Sequence, residues 1–250
     1  MLEIRGLSIG AGGRALVRDL TLSLPDRGIT ALIGPSGCGK TSVLRWLAGI
    51  LAAGSTGLQA KGQLLLDGAA IAQPHPGICY QPQSDALFPW LTVAENAALG
   101  LEIAGLSRPK ARVRAAALFA PFGLAGCEDL FPAQLSGGMR QRAAFLRTIV
   151  QDSRFVLLDE PFSALDAVTR LAMQDWLLAR LRDRPRGVLL VTHDLHEATG
   201  LADRVLVMAA NPGRIAADMP IAIPHDRRDE AAMAPLRQTL KFLLLKEPPR

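Results

Sequence analysis

The sequence predicts an α/β fold: a mostly parallel sheet with an antiparallel β edge subdomain and an inserted α-helical subdomain. Three observations predict it. A short apolar strand, a glycine-rich loop and a helix follow one another over residues 29–51. Phe155-Val156-Leu157-Leu158 and Gly187-Val188-Leu189-Leu190-Val191 are continuous apolar runs, as in strands buried on both faces. Residues from about 83 to 150 are instead rich in Ala and Leu at helical spacing.

The elements follow in order. Leu2, Ile4, Leu7 and Ile9, then Leu16, Val17, Leu20, Leu22 and Leu24, alternate as in strands; Gly10–Gly13 and Pro25–Gly28 are turn signals. Ile29–Ile33 is a buried strand, and Leu44, Leu47, Ala48 and Leu51 mark one face of a helix. Gln63–Gly68 reads as a strand ending in a turn, and Ile78–Tyr80 as a short strand stopping at Gln81-Pro82. Helices are expected over 93–103, 108–119 and 138–150, inside an inserted lobe spanning about 83–150. The run at 155–158, a helix over 165–181, the run at 187–191 and a strand over 205–208 complete the core, before a turn at Asn211-Pro212-Gly213. Residues 1–217 form the main domain and 218–250 a C-terminal extension, with a docked helix over 231–246 carrying Met233, Leu236, Leu240 and Leu243 on one face.

Composition narrows the function. No apolar run reaches the roughly 18 residues of a membrane span, and Met1-Leu2-Glu3-Ile4-Arg5 lacks the apolar core of a signal peptide. Cys38, Cys79 and Cys127 are scattered without metal-ligand spacing, which fits a reducing cytosol. The net charge is +5, but no aromatic residues interleave with the basic clusters. Nucleic-acid binding is therefore not expected, and a solvated or membrane-facing basic surface is.

Gly34-Pro35-Ser36-Gly37-Cys38-Gly39-Lys40-Thr41 fits G-x-x-x-x-G-K-[ST] between the strand and the helix. Glycines let several backbone N–H groups converge on one anion, and the helix N-terminus adds partial positive charge. Lys40 can reach the β- and γ-phosphates of a nucleotide, and the Thr41 hydroxyl can ligate Mg²⁺. The pattern predicts a P-loop NTPase core that binds ATP. Downstream, the 155–158 strand delivers Asp159 and Glu160 at its C-terminal end, where α/β sheets bind ligands. Asp159 is suited to hold Mg²⁺ and Glu160 to polarise a water for attack on the γ-phosphate.

Leu135-Ser136-Gly137-Gly138-Met139-Arg140-Gln141-Arg142 exposes backbone N–H groups at a helix start, a second anion site. It resembles the signature of ATP-binding-cassette (ABC) ATPases, and the motif order over residues 2–216 resembles theirs. The resemblance implies roles that chemistry alone does not assign. Gln81 resembles the glutamine that contacts metal and water, Ser163–Asp166 the loop through which Asp166 faces nucleotide, and His193 the γ-phosphate sensor. It also implies a head-to-tail homodimer in which Ser136, Gly137 and Gly138 press on the nucleotide held by the other copy. One departure stands out: the position near Ala11, where cassettes commonly stack an aromatic on adenine, carries none. Stacking is then weak or supplied by another residue, and discrimination between ATP and GTP is low.

The absence of a membrane segment resembles bacterial importers, whose integral permease is a separate polypeptide served by a periplasmic solute-binding protein. Leu87–Val93 and Asn211–Ile215 look like the nitrate/sulfonate/taurine importer ATPases and their thiamine-precursor relatives. The chain is then peripheral at the cytoplasmic face of the inner membrane. Phe88 and Trp90 are candidates to line a groove for a short permease helix, with Leu91 packed inside. The alternatives are a soluble cassette acting on nucleic acid or the ribosome, and a regulatory protein that binds ATP without turnover. The lack of a coiled-coil insertion or a second cassette argues against the first, and Glu160 with His193 argues against the second.

Overall fold

The computed structural model describes residues 1–51 and 57–245. The chain opens with an antiparallel hairpin of β1 (Leu2–Ala11) and β2 (Arg14–Leu24), then β3 (Gly28–Ile33) and α1 (Lys40–Leu47). β4 (Gln59–Leu66), β5 (Ala69–Ala70) and β6 (Ile78–Gln81) precede the helical lobe of α2 (Val93–Ile103), α3 (Arg108–Ala116) and α4 (Gly137–Ile149). β7 (Phe155–Asp159), α5 (Ala167–Asp183), β8 (Gly187–Val191), α6 (Leu195–Leu201), β9 (Arg204–Ala209), β10 (Arg214–Pro220) and α7 (Glu230–Leu245) follow.

Two sheets result. One is antiparallel, in order β2-β1-β4-β5; the other has order β10-β9-β3-β8-β7-β6 and is parallel apart from β10. The apolar runs of the parallel strands divide by the period of two. Val156 and Leu158 of β7, Val188 and Leu190 of β8, and Val205 and Val207 of β9 join a core shared with the helical lobe. Phe155, Leu157, Leu189, Val191, Leu206 and Met208 join a second core with α1 and the antiparallel sheet. Each strand is thus buried on both faces, which is why it carries no polar alternation.

An aromatic cluster ties the lobe to the main sheet. Trp176 of α5 packs edge-on against Phe122 at 4.6 Å between ring centroids, and Phe145 of α4 packs at 5.3 Å against Phe162, just past β7. Within the lobe, Thr92 and Glu95 cap α2 reciprocally.

Differences from the sequence expectation have local causes. α1 ends at Leu47 rather than reaching Leu51, because Gly49 takes φ +73° and donates to the Trp46 carbonyl. α3 ends at Ala116 rather than 119: Pro121 cannot continue a helix, and the chain turns to bury Phe119 and Phe122. β4 begins at Gln59, because edge pairing to β1 recruits the exposed polar segment before Gln63. α5 is shifted to 167–183, with Asp166 as its cap. β5, α6 and β10 were not anticipated; all three are short or only partly buried. α7 docks as expected, with Met233 and Leu240 buried, and Lys246 lies outside the described residues.

Candidate functional site

The loop from Gly34 to Gly39 bridges β3 and α1. Its glycines are dictated by close approach and by backbone sign. A Cβ on Gly34 would lie 2.5 Å from the Met208 carbonyl oxygen. Gly39, the N-cap, has φ +104°, and a Cβ there would lie 2.6 Å from a Val17 methyl. The Lys40 ammonium lies inside the loop, donating to the carbonyls of Gly34 at 2.7 Å and Pro35 at 3.0 Å. No acidic side chain occupies the first turn of α1, so nothing competes with an anion at its positive end. Burial pushes the Cys38 thiol up, so this loop cysteine stays protonated.

Beside the loop, Thr41 donates to Asp159 Oδ1 at 3.3 Å and Tyr80 to Oδ2 at 3.3 Å. Asp159 is buried, which raises its pKa; the Thr41 and Tyr80 hydroxyls oppose the shift. An alcohol and a carboxylate side by side are the hard oxygen donors that Mg²⁺ takes, so the residues fit that ion.

Glu160 follows on the same strand end with φ +49°, a left-handed conformation that is strained for a side chain of this kind. Its N–H is fixed by the Val191 carbonyl at 2.9 Å. One carboxylate oxygen lies 3.2 Å from His193 Nδ1, and the other accepts from Gln83 Nε2 at 3.0 Å. Three distant segments of the chain therefore meet at one carboxylate.

Gln81 is the exception among the expected residues. It is still inside β6, opposite Leu158, completely buried, and its amide atoms have no hydrogen-bond partner among the described residues. The glutamine that reaches Glu160 is Gln83, beyond Pro82. The available signal was Pro82 itself, which ends the strand and frees the residue after it.

The residues of the 135–142 motif open α4. Ser136 caps α4, accepting from Met139 N–H at 3.3 Å; Ser136 and Gly137 are exposed and Gly138 is half-buried. Neither glycine is needed by the chain's own packing. A Cβ on Gly138 would meet Ala164 and Leu165 at ordinary contact distances, and on Gly137 only the tip of Arg140 at 3.9 Å. Behind them, Gln141 donates to the Pro161 carbonyl at 3.0 Å, linking α4 to the turn after Glu160. Asp166 accepts from Thr169 N–H at 3.0 Å as the cap of α5, a bond that lowers its pKa. A cleft of about 250 Å³ opens next to Gly37, lined by Arg14, Ala15, Leu16, Leu58 and Asn211, with no aromatic ring.

Sequence comparison places this geometry among known proteins. The ABC transporter family model matches residues 17–163. Aliphatic sulfonates import ATP-binding protein SsuB 1 of Xanthomonas axonopodis pv. citri is 43% identical, covering 97% of this chain and 94% of its own. Taurine import ATP-binding protein TauB of Yersinia pestis bv. Antiqua is 39% identical, covering 86% and 82%. Among solved structures, the ATP-binding subunit of an ABC transporter superposes with a TM-score of 0.79 at 26% identity, covering 98% of this chain and 99% of that one. The ATP-binding cassette MJ0796, a dimer bound to ADP and Pi, shares the fold with a TM-score of 0.77 at 22% identity, covering 90% and 100%. With a family model covering more than half of its length and relatives matched nearly end to end, the chain belongs to the ABC transporter family, as one of its ATPase domains.

Proposed function

We propose that the chain is the ATP-hydrolysing subunit of a bacterial importer for a small anionic solute of the sulfonate, taurine or nitrate type, or for a thiamine precursor. The observation that carries the reading is Glu160, held between His193 and Gln83 at the sheet edge that also carries the phosphate loop. Lys40 leaves the loop carbonyls for the terminal phosphates of ATP, and the loop N–H groups cradle them. Thr41 and Asp159 would hold Mg²⁺, which would supply charge neutralisation for the bound phosphates. Glu160 accepts the proton of the attacking water, and Gln83 and His193 fix its carboxylate so that one oxygen faces that water. His193 also senses the γ-phosphate, and Gln81 is left without a contact in this scheme.

The glycines at 137 and 138, free of any need inside the chain, are suited to close approach by a second copy. Ser136 and these two residues, with Asp166, close on the nucleotide held by that copy, making a head-to-tail homodimer that opens after hydrolysis. Residues 1–217 form the motor and 218–250 an extension on it. No helix among the described residues is long and apolar enough to cross a membrane. A separate integral permease is the partner, fed by a periplasmic binding protein, and the chain works at the cytoplasmic face of the inner membrane. Phe88 and Trp90, exposed and tilted against one another with centroids 5.4 Å apart, supply the apolar contact for it, and Leu91 beside them is half-buried.

The test is Glu160→Gln. Turnover falls by about 10²- to 10⁴-fold, while ATP still binds and holds a dimer on size-exclusion chromatography. Wild-type-like turnover in the variant would remove Glu160 from the chemistry.

A further inference from the structure

We propose that Arg228 and His225, in the extension after β10, are positioning residues for His193, acting through α6. The proposal rests on the reading of His193 as the residue that meets the γ-phosphate. α6 has only seven residues, about 10 Å of helix, and a helix that short has no stability of its own. Its place is set by what holds its two ends.

The N-terminal end carries the loop that holds His193. Asp194 caps α6, accepting from the N–H groups of His196 at 2.8 Å and Glu197 at 3.3 Å. The Thr192 hydroxyl donates to the Glu197 carboxylate and accepts from Asp194 N–H at 3.0 Å. Both neighbours of His193 are thus bonded to the first turn of α6, while the His193 side chain itself is mostly exposed and reaches Glu160.

The C-terminal end is gripped by the extension. The last carbonyls of a helix have no partner within it. Here four consecutive ones are satisfied from outside: Arg228 donates to Thr199, Gly200 and Ala202 at 3.2, 3.2 and 2.7 Å, and His225 Nε2 donates to Leu201 at 2.9 Å. The Arg228 side chain is only 3% exposed, a buried cation at the negative end of the helix. Its Nε–H is fixed in turn by the Ile223 carbonyl at 2.8 Å. Asp203, 4.0 Å from both Arg228 and His225, accepts from Ile29 N–H at 2.8 Å, where β3 sets out toward the phosphate loop. The extension therefore references α6 to the strand that presents the nucleotide. Loosening this grip lets α6 pivot and takes His193 away from Glu160.

The experiment uses the full-length chain. Arg228→Gln lowers kcat for ATP hydrolysis by about 10- to 100-fold, as expected for displacement of a reacting group. KM for ATP stays within about twofold, since uniform binding is untouched. Hydrogen exchange of the 192–202 amides rises while that of β3 and β7 is unchanged. Arg228→Lys, which keeps the charge but loses the Nε–H bond to Ile223 that aims the head group, falls between. In a His193→Ala background Arg228→Gln produces no further loss. Independent, multiplying losses in that background, or a raised KM with kcat intact, overturns the proposal. If Arg228→Gln does not fold, His225→Ala, which removes one contact, is read by the same exchange measurement; unchanged exchange at 192–202 overturns it too. Should His193→Ala alone leave kcat unchanged, the reading of His193 fails instead, whatever the exchange data show.

Discussion

Glu197 shows how one buried side chain acquires a pH signature. Burial pushes its carboxyl from 4.5 up to about 7; Asp194 pushes the same way, and the Thr192 hydroxyl, Arg170 and His193 oppose. Its second oxygen is buried without a partner among the described residues. A carboxyl raised on folding keeps its proton in the native state after the unfolded chain has lost it. Its contribution to stability is complete below about pH 4.5 and is lost as pH rises through about 7. Denaturant titrations of wild type against Glu197→Gln are expected to diverge across that window. Wild type loses up to roughly 3 kcal/mol relative to the variant as pH rises, and a difference independent of pH refutes the assignment. At this scale a motif that fixes residue and spacing leads to side chains that the structure gathers at one end of the sheet: Lys40, Thr41, Asp159, Glu160 and His193. At Gln81 the structure departs from that reading in placement: two glutamines two residues apart satisfy one pattern, and the extent of β6 tells that Gln83 is the one that leaves the sheet.

The segment between β6 and α2 is irregular but held in place. Asn96 is completely buried and accepts from Phe88 N–H at 2.8 Å, while its amide nitrogen lies 3.0 Å from the carbonyls of Phe88, Leu91 and Thr92. One side chain thereby shapes the turn that projects Phe88 and Trp90. Trp90→Ala is expected to leave ATP affinity and thermal stability unchanged, since the ring is 69% exposed, and to uncouple hydrolysis from uptake in vesicles reconstituted with the permease. Unimpaired uptake would place the docking surface elsewhere. The elements legible in the sequence were those whose burial writes a pattern: β3, β7, β8 and β9 as apolar runs, and α7 by its spaced leucines. β10, with one face half-buried and the other exposed, and α6, too short for a period to repeat, leave no such trace.

For the molecule as a whole, what matters is which requirements it satisfies alone. Gly138 lies in the first turn of α4, where Ala fits sterically and Gly→Ala commonly adds about 0.4–1 kcal/mol by restricting the unfolded chain. Gly138→Ala is therefore expected to raise the melting temperature of the subunit while lowering turnover and the yield of ATP-dependent dimer. Loss of stability in parallel with turnover assigns the glycine to the subunit's own packing instead. The layered architecture could be read from the chain; the grip of the extension on α6 could not, because arginine-to-carbonyl contacts across 26 to 29 residues leave no periodic mark.

The ring cluster around Trp176 has an optical consequence. The chain has three tryptophans; Trp46 is a buried residue of α1, and Trp90 stands in solvent. Once Trp90 is replaced by phenylalanine, emission that responds to reorientation of the inserted subdomain comes from the one indole wedged between it and the main sheet. The protein thus carries its own fluorophore at the joint, and stopped-flow records of ATP addition can follow the motion without a label.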